Sequence, residues 1–337
     1  MENSVVTITG GTGSFGKTVT RDLIKQGVSE IRIFSRDETK QDEMRREFKN
    51  ENIKFYLGDT RDRSSIDKVV RGSDYIFHAA ALKQVPSCEF FPEQAIMTNV
   101  LGSKNVIDSG VDNGVKSIVC LSTDKAVYPI NTMGMTKALM EKVAQSYGRN
   151  HIKTDTTISV TRYGNVMCSR GSVIPVFFNQ LVSSQPITLT DPSMTRFLMK
   201  LDESVDLVKY AFQNAESGDI FVRKAKATNL MTLAQAIAKC LDISNPKIDV
   251  IGDRHGEKKN ESLLSKEELI HAIDHGDYFR VPLDSRDLNY SLYLSDGISN
   301  VGELMAYESN LVNQLSVDET SELLMSTPEF IQLLESK

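Results

Sequence analysis

The sequence lacks features that would direct it toward several classes of protein. Its four cysteines lie far apart and form no Cys-x-x-Cys pair: Cys88, Cys120, Cys168 and Cys240. We therefore expect free thiols in a reducing compartment and no metal site. The chain also lacks a block of basic residues, and its formal net charge is −6. This balance argues against nucleic acid or an anionic membrane surface as the main partner.

Long apolar runs are absent as well. No segment approaches the roughly 20 consecutive apolar residues that a membrane-spanning helix needs. A β-branched run, Val5–Thr9, begins almost at the N-terminus and leaves no room for a signal peptide. With 40% hydrophobic and 25% charged residues, the 337-residue chain has the composition of a globular protein with a substantial core. The sequence predicts a cytoplasmic protein with no membrane partner.

A glycine-rich segment follows the first predicted strand. Val5–Thr9 leads into Gly10-Gly-Thr-Gly-Ser-Phe-Gly16, and an amphipathic helical pattern begins there. Glycines at such a junction let backbone amides approach a pyrophosphate, and the helix N-terminus supplies positive potential. This context favours a dinucleotide site over an ordinary tight turn. The residues assigned to cofactor binding are Gly10, Thr12, Gly13, Ser14, Phe15 and Gly16.

The end of the second predicted strand bears on the choice between NAD and NADP. About 20 residues after the glycines, NAD sites usually place an acidic residue on the ribose. This chain has Ser35 there, with Arg36 beside it and Lys40 one helical turn later. A hydroxyl and a guanidinium suit the additional phosphate of NADP, which a carboxylate would repel. Asp37 is consistent instead with a solvated charged loop. We expect NADP, with NAD as the alternative.

The next two predicted strands add further candidates. Asp59 follows the third strand, where its side chain either caps the next helix or reaches the adenine amino group. The fourth strand ends in Ala79 and Ala80, whose small side chains let a cofactor lie against the backbone. Lys83 follows them and is a candidate for the substrate cleft. His78, inside the apolar run, is expected to be a buried, hydrogen-bonded histidine rather than a base.

The segment 122–137 contains the candidate catalytic groups. It follows a predicted buried strand, Ser117–Leu121, and includes Asp124, Lys125 and Lys137. In α/β proteins such groups collect at the carboxyl ends of strands, where acid–base chemistry can operate beside a bound cofactor. A surface ion pair is the alternative for Asp124 and Lys125.

The order of predicted elements indicates the fold class. Strands and helices alternate with short connections, which predicts an α/β fold with a Rossmann-like, doubly wound parallel sheet. After Cys168 the pattern changes to turns and short elements, which indicates a smaller mixed α/β substrate-binding domain. We assign residues 1–167 and 202–245 to the NADP-binding domain, and residues 168–201 and 246–337 to the substrate-binding and C-terminal region.

Seven motifs, in one order, resemble the extended short-chain dehydrogenase/reductase family. They are Thr9-Gly-Gly-Thr-Gly-Ser-Phe-Gly16, Ser35-Arg-Asp-Glu38, His78-Ala-Ala-Ala-Leu-Lys83, Ser122-Thr-Asp-Lys125, Arg162-Tyr-Gly-Asn-Val166, Met194-Thr-Arg-Phe197 and Gly256-Glu-Lys258. Within that family the chain is similar to nucleotide-sugar enzymes, specifically the UDP-N-acetylglucosamine 4,6-dehydratases that invert carbon 5, of the capsular polysaccharide CapE type. The resemblance covers nearly the whole chain up to about residue 300.

The resemblance implies a reaction that uses the cofactor and returns it unchanged. The sugar's carbon-4 hydroxyl loses a proton while nicotinamide takes the hydride. The new ketone acidifies the hydrogen on carbon 5, and water leaves from carbon 6. The hydride then returns to carbon 6, and carbon 5 is reprotonated from the other face. The product would be a UDP-2-acetamido-2,6-dideoxy-4-keto-hexose for a capsular or surface polysaccharide, on the route to UDP-N-acetyl-L-fucosamine.

The resemblance also implies roles within segment 122–137. Asp124 would protonate the leaving hydroxyl, and Lys125 would handle the carbon-5 proton, which requires a lowered pKa. Thr123 would hydrogen-bond the carbon-4 oxygen. Lys137 would bind the nicotinamide ribose and lower the local proton affinity.

Further residues are assigned to the two ligands. Tyr163 and Asn165 are assigned to the cofactor. The residues assigned to the UDP-sugar are Lys83, Asn165, Val173, Arg196, Arg254 and Glu257. Arg196 and Arg254 suit the UDP phosphates because a guanidinium pairs bidentately with phosphate oxygens. A solvated arginine is the alternative for each.

Two positions depart from the family pattern. The family has Tyr-x-x-x-Lys, whereas this chain has Met133 four residues before Lys137, and methionine has no proton to exchange. Either the chain is inactive, or Thr123, Asp124 or a water held by Lys137 takes the proton from the carbon-4 hydroxyl. In addition, Lys259-Asn-Glu261 stands where Leu-His-Glu is usual, which changes contacts near the sugar.

Two other functions stay open at this stage. A UDP-sugar 4-epimerase would need the phenol and no acid–lysine pair. A non-catalytic NADP-binding sensor would need none of Asp124, Lys125 and Lys137. Enzymes of this kind pair through helices that begin near Pro92 and Thr136, so we expect a homo-oligomer, either a dimer or a hexamer.

Overall fold

The computed structural model describes residues 1–149, 154–169, 171–252, 254, 256–284 and 305–336. It confirms the Rossmann-like α/β fold that the alternating pattern predicts. Within the described residues, no helix combines the length and the apolar character needed to cross a bilayer. The four cysteines are free thiols, as expected.

The first half of the chain alternates strands and helices. The elements are β1 (Val5–Thr9), α1 (Ser14–Lys25), β2 (Glu30–Ser35), α2 (Glu38–Phe48), β3 (Ile53–Leu57), α3 (Arg63–Val70), β4 (Tyr75–His78), α4 (Val85–Phe90), α5 (Pro92–Ala95), a π-helical stretch (Ile96–Leu101), α6 (Gly102–Asp112), β5 (Ser117–Leu121), α7 (Thr132–Arg149) and β6 (Thr157–Arg162). All five residues of β5 are buried. Short, continuous apolar strands of this kind are typical of a parallel sheet covered by helices on both faces.

The second half contains shorter elements. They are β7 (Asn165–Val166), α8 (Val173–Val182), β8 (Ile187–Leu189), β9 (Thr195–Met199), α9 (Leu201–Asn214), β10 (Ile220–Arg223), β11 (Lys226–Asn229), α10 (Leu230–Cys240), β12 (Ile248–Val250), β13 (Ser262–Leu264), α11 (Lys266–His271), β14 (Ile273–Asp274), β15 (Tyr278–Val281), β16 (Tyr307–Glu308), α12 (Val317–Met325) and α13 (Pro328–Glu335).

The main sheet has the order β14-β15-β10-β6-β5-β4-β1-β2-β3 in the described part of the chain. From β3 through β10 neighbouring strands are parallel, and β15 and β14 add an antiparallel edge. The strand order reverses between β1 and β4. In doubly wound sheets a ligand crevice opens at the carboxyl ends of the strands at such a reversal. Both the glycine turn and segment 122–137 follow strands at this edge.

A smaller unit packs around its own core beside the main sheet. It includes a three-stranded sheet of order β11-β9-β7 and the parallel pair of β12 and β8. Its apolar core joins α8, α10, α12 and α13. α9 and β10 belong with the main sheet, whereas α10 packs in the smaller core and β11 pairs with β9. Residues 202–245 are therefore divided between two cores, and the division into ligand-binding domains stays a prediction.

Candidate functional site

Close backbone approaches shape the glycine turn between β1 and α1. Gly10 has a φ of +67°, and a Cβ on it would lie 2.8 Å from backbone atoms of Ala80. A Cβ on Gly16 would lie 2.4 Å from the carbonyl oxygen of Gly11. These positions therefore require glycine. Gly13 is the N-cap of α1 and provides no side-chain hydrogen bond to the helix. The turn thus presents backbone N–H groups at a helix N-terminus, which fits the pyrophosphate of a dinucleotide.

Aromatic rings link this turn to the end of β6. The ring of Phe15 lies 5.4 Å from that of Phe77 and 5.5 Å from that of Tyr163, measured between centroids. Thr12 is buried and Ser14 is exposed. The turn residues and Tyr163, which the sequence assigns to the cofactor, therefore lie at one place in the fold.

The hydroxyl expected to bind the NADP phosphate is already engaged. Ser35 is buried at the end of β2, and its Oγ accepts a hydrogen bond of 3.1 Å from Nε2 of Gln41. The same Nε2 donates to the carbonyl oxygens of Ser35 and Tyr56. Gln41 thus ties the end of β2 to β3, and the Ser35 hydroxyl has a structural partner of its own.

The two cations expected near that phosphate each pair with an acid. Arg36 lies 3.4 Å from a carboxylate oxygen of Asp59, and Lys40 lies 2.6 Å from one of Asp37. Asp37 also caps α2 by accepting from the Lys40 N–H. Exposed pairs of this kind contribute only about 0–1 kcal/mol and can exchange partners.

Asp59 does not cap the following helix. Asp62 does, because its carboxylate accepts from the N–H of Ser64 at the start of α3. Asp59 instead accepts from the backbone N–H and the guanidinium of Arg61. Burial alone would raise the pKa of Asp59, but these hydrogen bonds and the charge of Arg36 lower it. The capping alternative for Asp59 is therefore wrong.

His78 is confirmed as a buried, satisfied histidine. Its Nδ1 lies 2.6 Å from Oγ1 of Thr9, and its Nε2 lies 2.8 Å from Oγ of Ser103. Burial, together with the positive charge of Lys137, lowers the pKa of His78 to about 3. A neutral ring that links β1, β4 and α6 does not act as the missing base.

An asparagine fixes the loop after β4. Oδ1 of Asn99, in the π-helical stretch, accepts from the N–H of Leu82, and its Nδ2 donates to the Leu82 carbonyl and to Oγ1 of Thr136. The distances are 2.8, 2.9 and 3.0 Å respectively. Lys83 follows as an exposed residue just beyond Ala79 and Ala80.

The predicted catalytic pair is not a surface ion pair, because Asp124 is buried and Lys125 is half-buried. Asp124 begins a 3-10 turn, Asp124–Ala126, directly after β5. Its Oδ1 accepts from the Thr123 hydroxyl at 2.7 Å and lies 3.1 Å from Nζ of Lys125. The Asp124 side chain is 1% exposed and that of Lys125 is 24% exposed. The Thr123 hydroxyl, expected on the carbon-4 oxygen, donates to Asp124 here.

A second carboxylate beside Lys125, absent from the sequence-based assignments, completes this arrangement. Oε1 of Glu261 lies 3.4 Å from Nζ of Lys125 and 3.8 Å from Nε of Arg196. Arg196 also donates to Oε1 of Glu257 at 3.0 Å. We call these residues the charged cluster: Asp124, Lys125, Arg196, Glu257 and Glu261. Arg196 is expected on the UDP phosphates, but its buried guanidinium already serves this cluster.

The environment of Lys125 raises its pKa, whereas the proposed role was expected to require a lowered one. Burial alone would lower its pKa, but the carboxylates of Asp124 and Glu261 outweigh burial and raise it. The expected lowered pKa of Lys125 is therefore wrong. Next to two carboxylates this side chain is an ammonium, which donates a proton more readily than it accepts one.

Several buried oxygens at this place lack a hydrogen-bond donor among the described residues. They are Oδ2 of Asp124, Oε2 of Glu257, Oε2 of Glu261 and Oδ1 of Asn165. Buried polar atoms in folded proteins nearly always have a partner. The arrangement therefore fits a ligand that carries several hydroxyl or amide donors.

Lys137 and Met133 lie on the first turns of α7. Nζ of Lys137 donates to the Leu121 carbonyl at 2.6 Å, and burial lowers the pKa of Lys137 to about 8. Met133 is 4% exposed and packs with Cys88 and Ala95. An apolar contact thus occupies the position where the family has a phenol.

The loop from 256 to 261 docks onto segment 122–137. Nδ2 of Asn131 donates to the Gly256 carbonyl at 2.9 Å, and Nζ of Lys258 donates to the Val127 carbonyl. Burial lowers the pKa of Lys258. These bonds bring Glu257 and Glu261 to the end of β5, across more than 120 residues of sequence.

Two predicted substrate residues lie apart from the charged cluster. Arg254 is exposed, and Val173 is the half-buried first residue of α8. No hydrogen bond or ion pair within the described part of the chain joins either side chain to the cluster. Their contact with a UDP-sugar stays a prediction.

A second buried charge network was also missed. Arg162 donates to both carboxylate oxygens of Glu141 and of Glu268, at 2.6–2.8 Å. The Ser122 hydroxyl donates to Oε1 of Glu141 at 2.5 Å. This network fixes the end of β5 to α7, β6 and α11. The Arg162-Tyr-Gly-Asn motif is the sequence signal that could have indicated it.

Comparison with known families identifies the group. The family model described as "Polysaccharide biosynthesis protein" matches residues 6–283, and the model described as "Polysaccharide biosynthesis protein C-terminal" matches residues 284–332. The chain belongs to the polysaccharide biosynthesis protein family.

Curated relatives extend over almost the whole chain. A protein named UDP-glucose 4-epimerase from Rickettsia conorii is 53% identical over 329 residues, which is 96% of each chain. A protein of the same name from Rickettsia bellii is 53% identical over 324 residues, covering 95% of this chain and 94% of the relative.

Solved structures agree on the fold. The chain is similar to Pen from Bacillus thuringiensis, with a TM-score of 0.87 and 34% identity over 97% of this chain and 99% of that chain. DesIV, a dTDP-glucose 4,6-dehydratase from Streptomyces venezuelae with NAD and TYD bound, has a TM-score of 0.68 at 20% identity, covering 75% and 86%. The latter likeness concerns the fold alone.

Proposed function

We propose that this protein is a UDP-N-acetylglucosamine 4,6-dehydratase that inverts carbon 5 and yields a UDP-2-acetamido-2,6-dideoxy-4-keto-hexose. The observation that carries the proposal is the pairing of the buried Asp124 with the half-buried Lys125 at the carboxyl end of β5. Elimination of water needs a proton donor for the leaving hydroxyl and a group that exchanges the carbon-5 proton. Oxidation and reduction at carbon 4 alone need neither.

The proposal includes NADP as cofactor, with NAD second. When bound, the cofactor would accept the hydride from carbon 4 and return it to carbon 6. The glycine turn and Ala79–Ala80 would hold the pyrophosphate, and Lys137 the nicotinamide ribose. Arg36 and Lys40 would hold the additional phosphate after exchanging their carboxylate partners, an exchange that weak surface pairs allow.

Asp124 is proposed as the acid for the hydroxyl that leaves carbon 6. Its Oδ1 is occupied by Thr123 and Lys125, while its Oδ2 has no donor among the described residues. A sugar hydroxyl would satisfy Oδ2. The Asp124 carboxylate would take the proton from carbon 5 and pass it to the departing oxygen, which leaves as water.

Lys125 is proposed as the proton donor to carbon 5. Its ammonium lies between two carboxylates, so it would keep its proton until hydride has returned to carbon 6. It would then protonate carbon 5 and regain a proton from solvent. Delivery from one fixed face would determine the configuration of the product. This assignment keeps Lys125 on the carbon-5 proton, as the resemblance implies, and makes it the donor.

The remaining assignments to the UDP-sugar are also proposals. Asn165 and Glu257, each with a buried oxygen that lacks a described donor, would accept from sugar hydroxyls or the acetamido N–H. Lys83 and Arg254 are exposed cations suited to the diphosphate. Arg196 would position Glu257 and Glu261 rather than bind phosphate.

A UDP-sugar 4-epimerase is the second candidate, because the relatives at 53% identity carry that name. Its reaction needs only carbon-4 oxidation, rotation of the ketone and reduction on the other face. The Asp124–Lys125 pair would then have no part in the reaction. An epimerase also needs a phenol as the base for the carbon-4 hydroxyl, and this chain has Met133 at that position.

One incubation distinguishes these possibilities. We would treat the purified protein with UDP-N-acetylglucosamine in heavy water and analyse products by mass spectrometry and proton NMR. Loss of one water with deuterium at carbon 5 supports the dehydratase, whereas an isobaric epimer supports the epimerase. No turnover despite bound cofactor would leave a non-catalytic NADP-binding protein.

Lys125→Ala should abolish water loss and leave cofactor affinity within about twofold, because Lys125 acts on the sugar rather than the dinucleotide. Lys68→Ala, at an exposed position on α3, serves as the matched control. Full dehydration by Lys125→Ala would contradict the assigned role.

A further inference from the structure

Glu261 has no role in the sequence-based assignments, yet it is one of the most enclosed carboxylates in the described structure. Its side chain is 3% exposed. Its N–H donates to Oγ of Ser309 at 2.9 Å, and its carbonyl accepts from the Ser309 N–H at 2.8 Å. The residue is therefore fixed by the C-terminal segment of the chain while its carboxylate reaches the end of β5.

The two oxygens of the Glu261 carboxylate have different surroundings. Oε1 lies 3.4 Å from Nζ of Lys125 and 3.8 Å from Nε of Arg196. Oε2 is buried and has no donor within the described residues. Asp124 shows the same division, with Oδ1 at 3.1 Å from the same Nζ and Oδ2 without a donor. Lys125 thus bridges two carboxylates, each with one oxygen left for a ligand.

We propose that Glu261 is a positioning residue for proton transfer: opposite Asp124, its buried carboxylate holds the Lys125 ammonium in place and keeps it charged. A single carboxylate would balance the charge of Lys125 but would leave its side chain free to rotate about that one contact. Two carboxylates on different elements, the turn after β5 and the start of β13, fix the nitrogen between them. This inference rests on the proposed function only where it gives Lys125 a part in the reaction.

All neighbouring charges are relevant to the state of Lys125. Asp124 and Glu261 favour its ammonium form, and the cation Arg196 opposes it. Lys258 and Tyr163 also interact with this group. Arg196 contacts Glu261 directly and therefore reduces the effect of that carboxylate on the charge of Lys125. Removing the Glu261 carboxylate would also leave the cations Lys125 and Arg196 facing each other.

The first test measures the charge of Lys125 without turnover. The full-length protein is pulsed with a limiting amine-reactive reagent between pH 7 and 11, and labelling of Lys125 is quantified by peptide mass spectrometry. Only the neutral amine reacts, so the pH midpoint reports its protonation. In the unsubstituted protein we expect a midpoint above the ordinary lysine value of about 10.4. In Glu261→Gln we expect it to fall by about one pH unit or more.

Two variants separate charge from shape. Glu261→Asp keeps the carboxylate and should hold the midpoint near that of the unsubstituted protein. Glu257→Gln removes the other carboxylate on Arg196 but leaves both partners of Lys125, so the midpoint should not move. An unchanged midpoint in folded Glu261→Gln overturns the inference. If that variant does not fold, an ordinary midpoint in the unsubstituted protein overturns it instead.

Kinetics connect the charge to the reaction. Glu261→Gln should lower kcat at least tenfold with KM changed less than about threefold, and activity should be lost at lower pH than in the unsubstituted protein. Glu261→Asp should recover part of kcat. A shifted labelling midpoint without dehydration by the unsubstituted protein would show that the charge assignment is right and the proposed reaction wrong.

Discussion

Two lysines of the site lie in opposite environments. Lys125 contacts Asp124 and Glu261, and these carboxylates raise its pKa. Lys137 donates to the neutral Leu121 carbonyl, and burial lowers its pKa to about 8. The same side chain is therefore a firmly held ammonium in one place and a readily deprotonated amine in the other.

Lys137→Met should change stability in a pH-dependent way. The folded pKa of Lys137 lies below the unfolded value of about 10.4, so the unfolded chain binds more protons between pH 8 and 10.4. The original protein should gain stability relative to the variant across that window, by about 1.4 kcal/mol per pH unit at most. Urea unfolding at pH 7.5 and 9.5 measures this. A constant difference between the two pH values would show that Lys137 keeps an ordinary pKa.

At the scale of elements, the start of α7 packs against the turn that carries the acid–lysine pair. A Cβ on Gly134 would lie 2.2 Å from the Lys125 carbonyl oxygen. The Gly134 N–H donates to Oδ1 of Asn131, whose Nδ2 reaches the Gly256 carbonyl. Glycine at 134 thus permits the start of α7, the turn that carries Lys125 and the loop at Gly256 to pack together.

Gly134→Ala should displace Lys125 and disrupt catalysis more than folding. Overpacking costs about 1–3 kcal/mol, partly offset by the better helix propensity of alanine. We expect kcat to fall at least tenfold with a loss of a few degrees in Tm. Lys142→Ala, exposed on the same helix, is the control. Wild-type kcat in Gly134→Ala would mean that the turn tolerates the displacement.

At the scale of the molecule, one exposed apolar face is prominent. It consists of Ile96, Met97, Leu101, Met135 and Leu139, each 40–53% exposed. Met97 and Leu101 are four residues apart, as are Met135 and Leu139, so each pair shares a helix face. These helices are those through which the sequence predicts pairing, and the apolar face supports that prediction.

The combined change Leu101→Glu and Leu139→Glu should therefore convert an oligomer to monomers. Charges in an apolar interface between identical helices would face each other across the two-fold axis. Light scattering after size exclusion measures the mass. Leu57→Glu, an exposed position at the end of β3, is the matched control. An unchanged mass in the double variant would locate the interface elsewhere.

The local features were predictable because they are encoded within short windows. The glycine turn, the buried β5 and the Asp124–Lys125 pair all follow from adjacent residues. His78 was recognisable because a polar residue inside an apolar strand is usually satisfied. By contrast, the capping role expected of Asp59 falls to Asp62, because several nearby acids can cap and only the backbone path distinguishes them.

The sequence by itself determined the α/β fold, the edge of the sheet that carries the site and the absence of a phenol at Met133. Only the tertiary structure determined the charge of Lys125. Glu261, on the loop before β13, and Arg196, on β9, lie far along the chain from segment 122–137, and no local pattern specifies their meeting. Electrostatic interactions depend on distance and burial, and folding alone sets both. The segment is therefore recognisable from its residues, while the charge environment of Lys125 depends on a carboxylate more than 130 residues away.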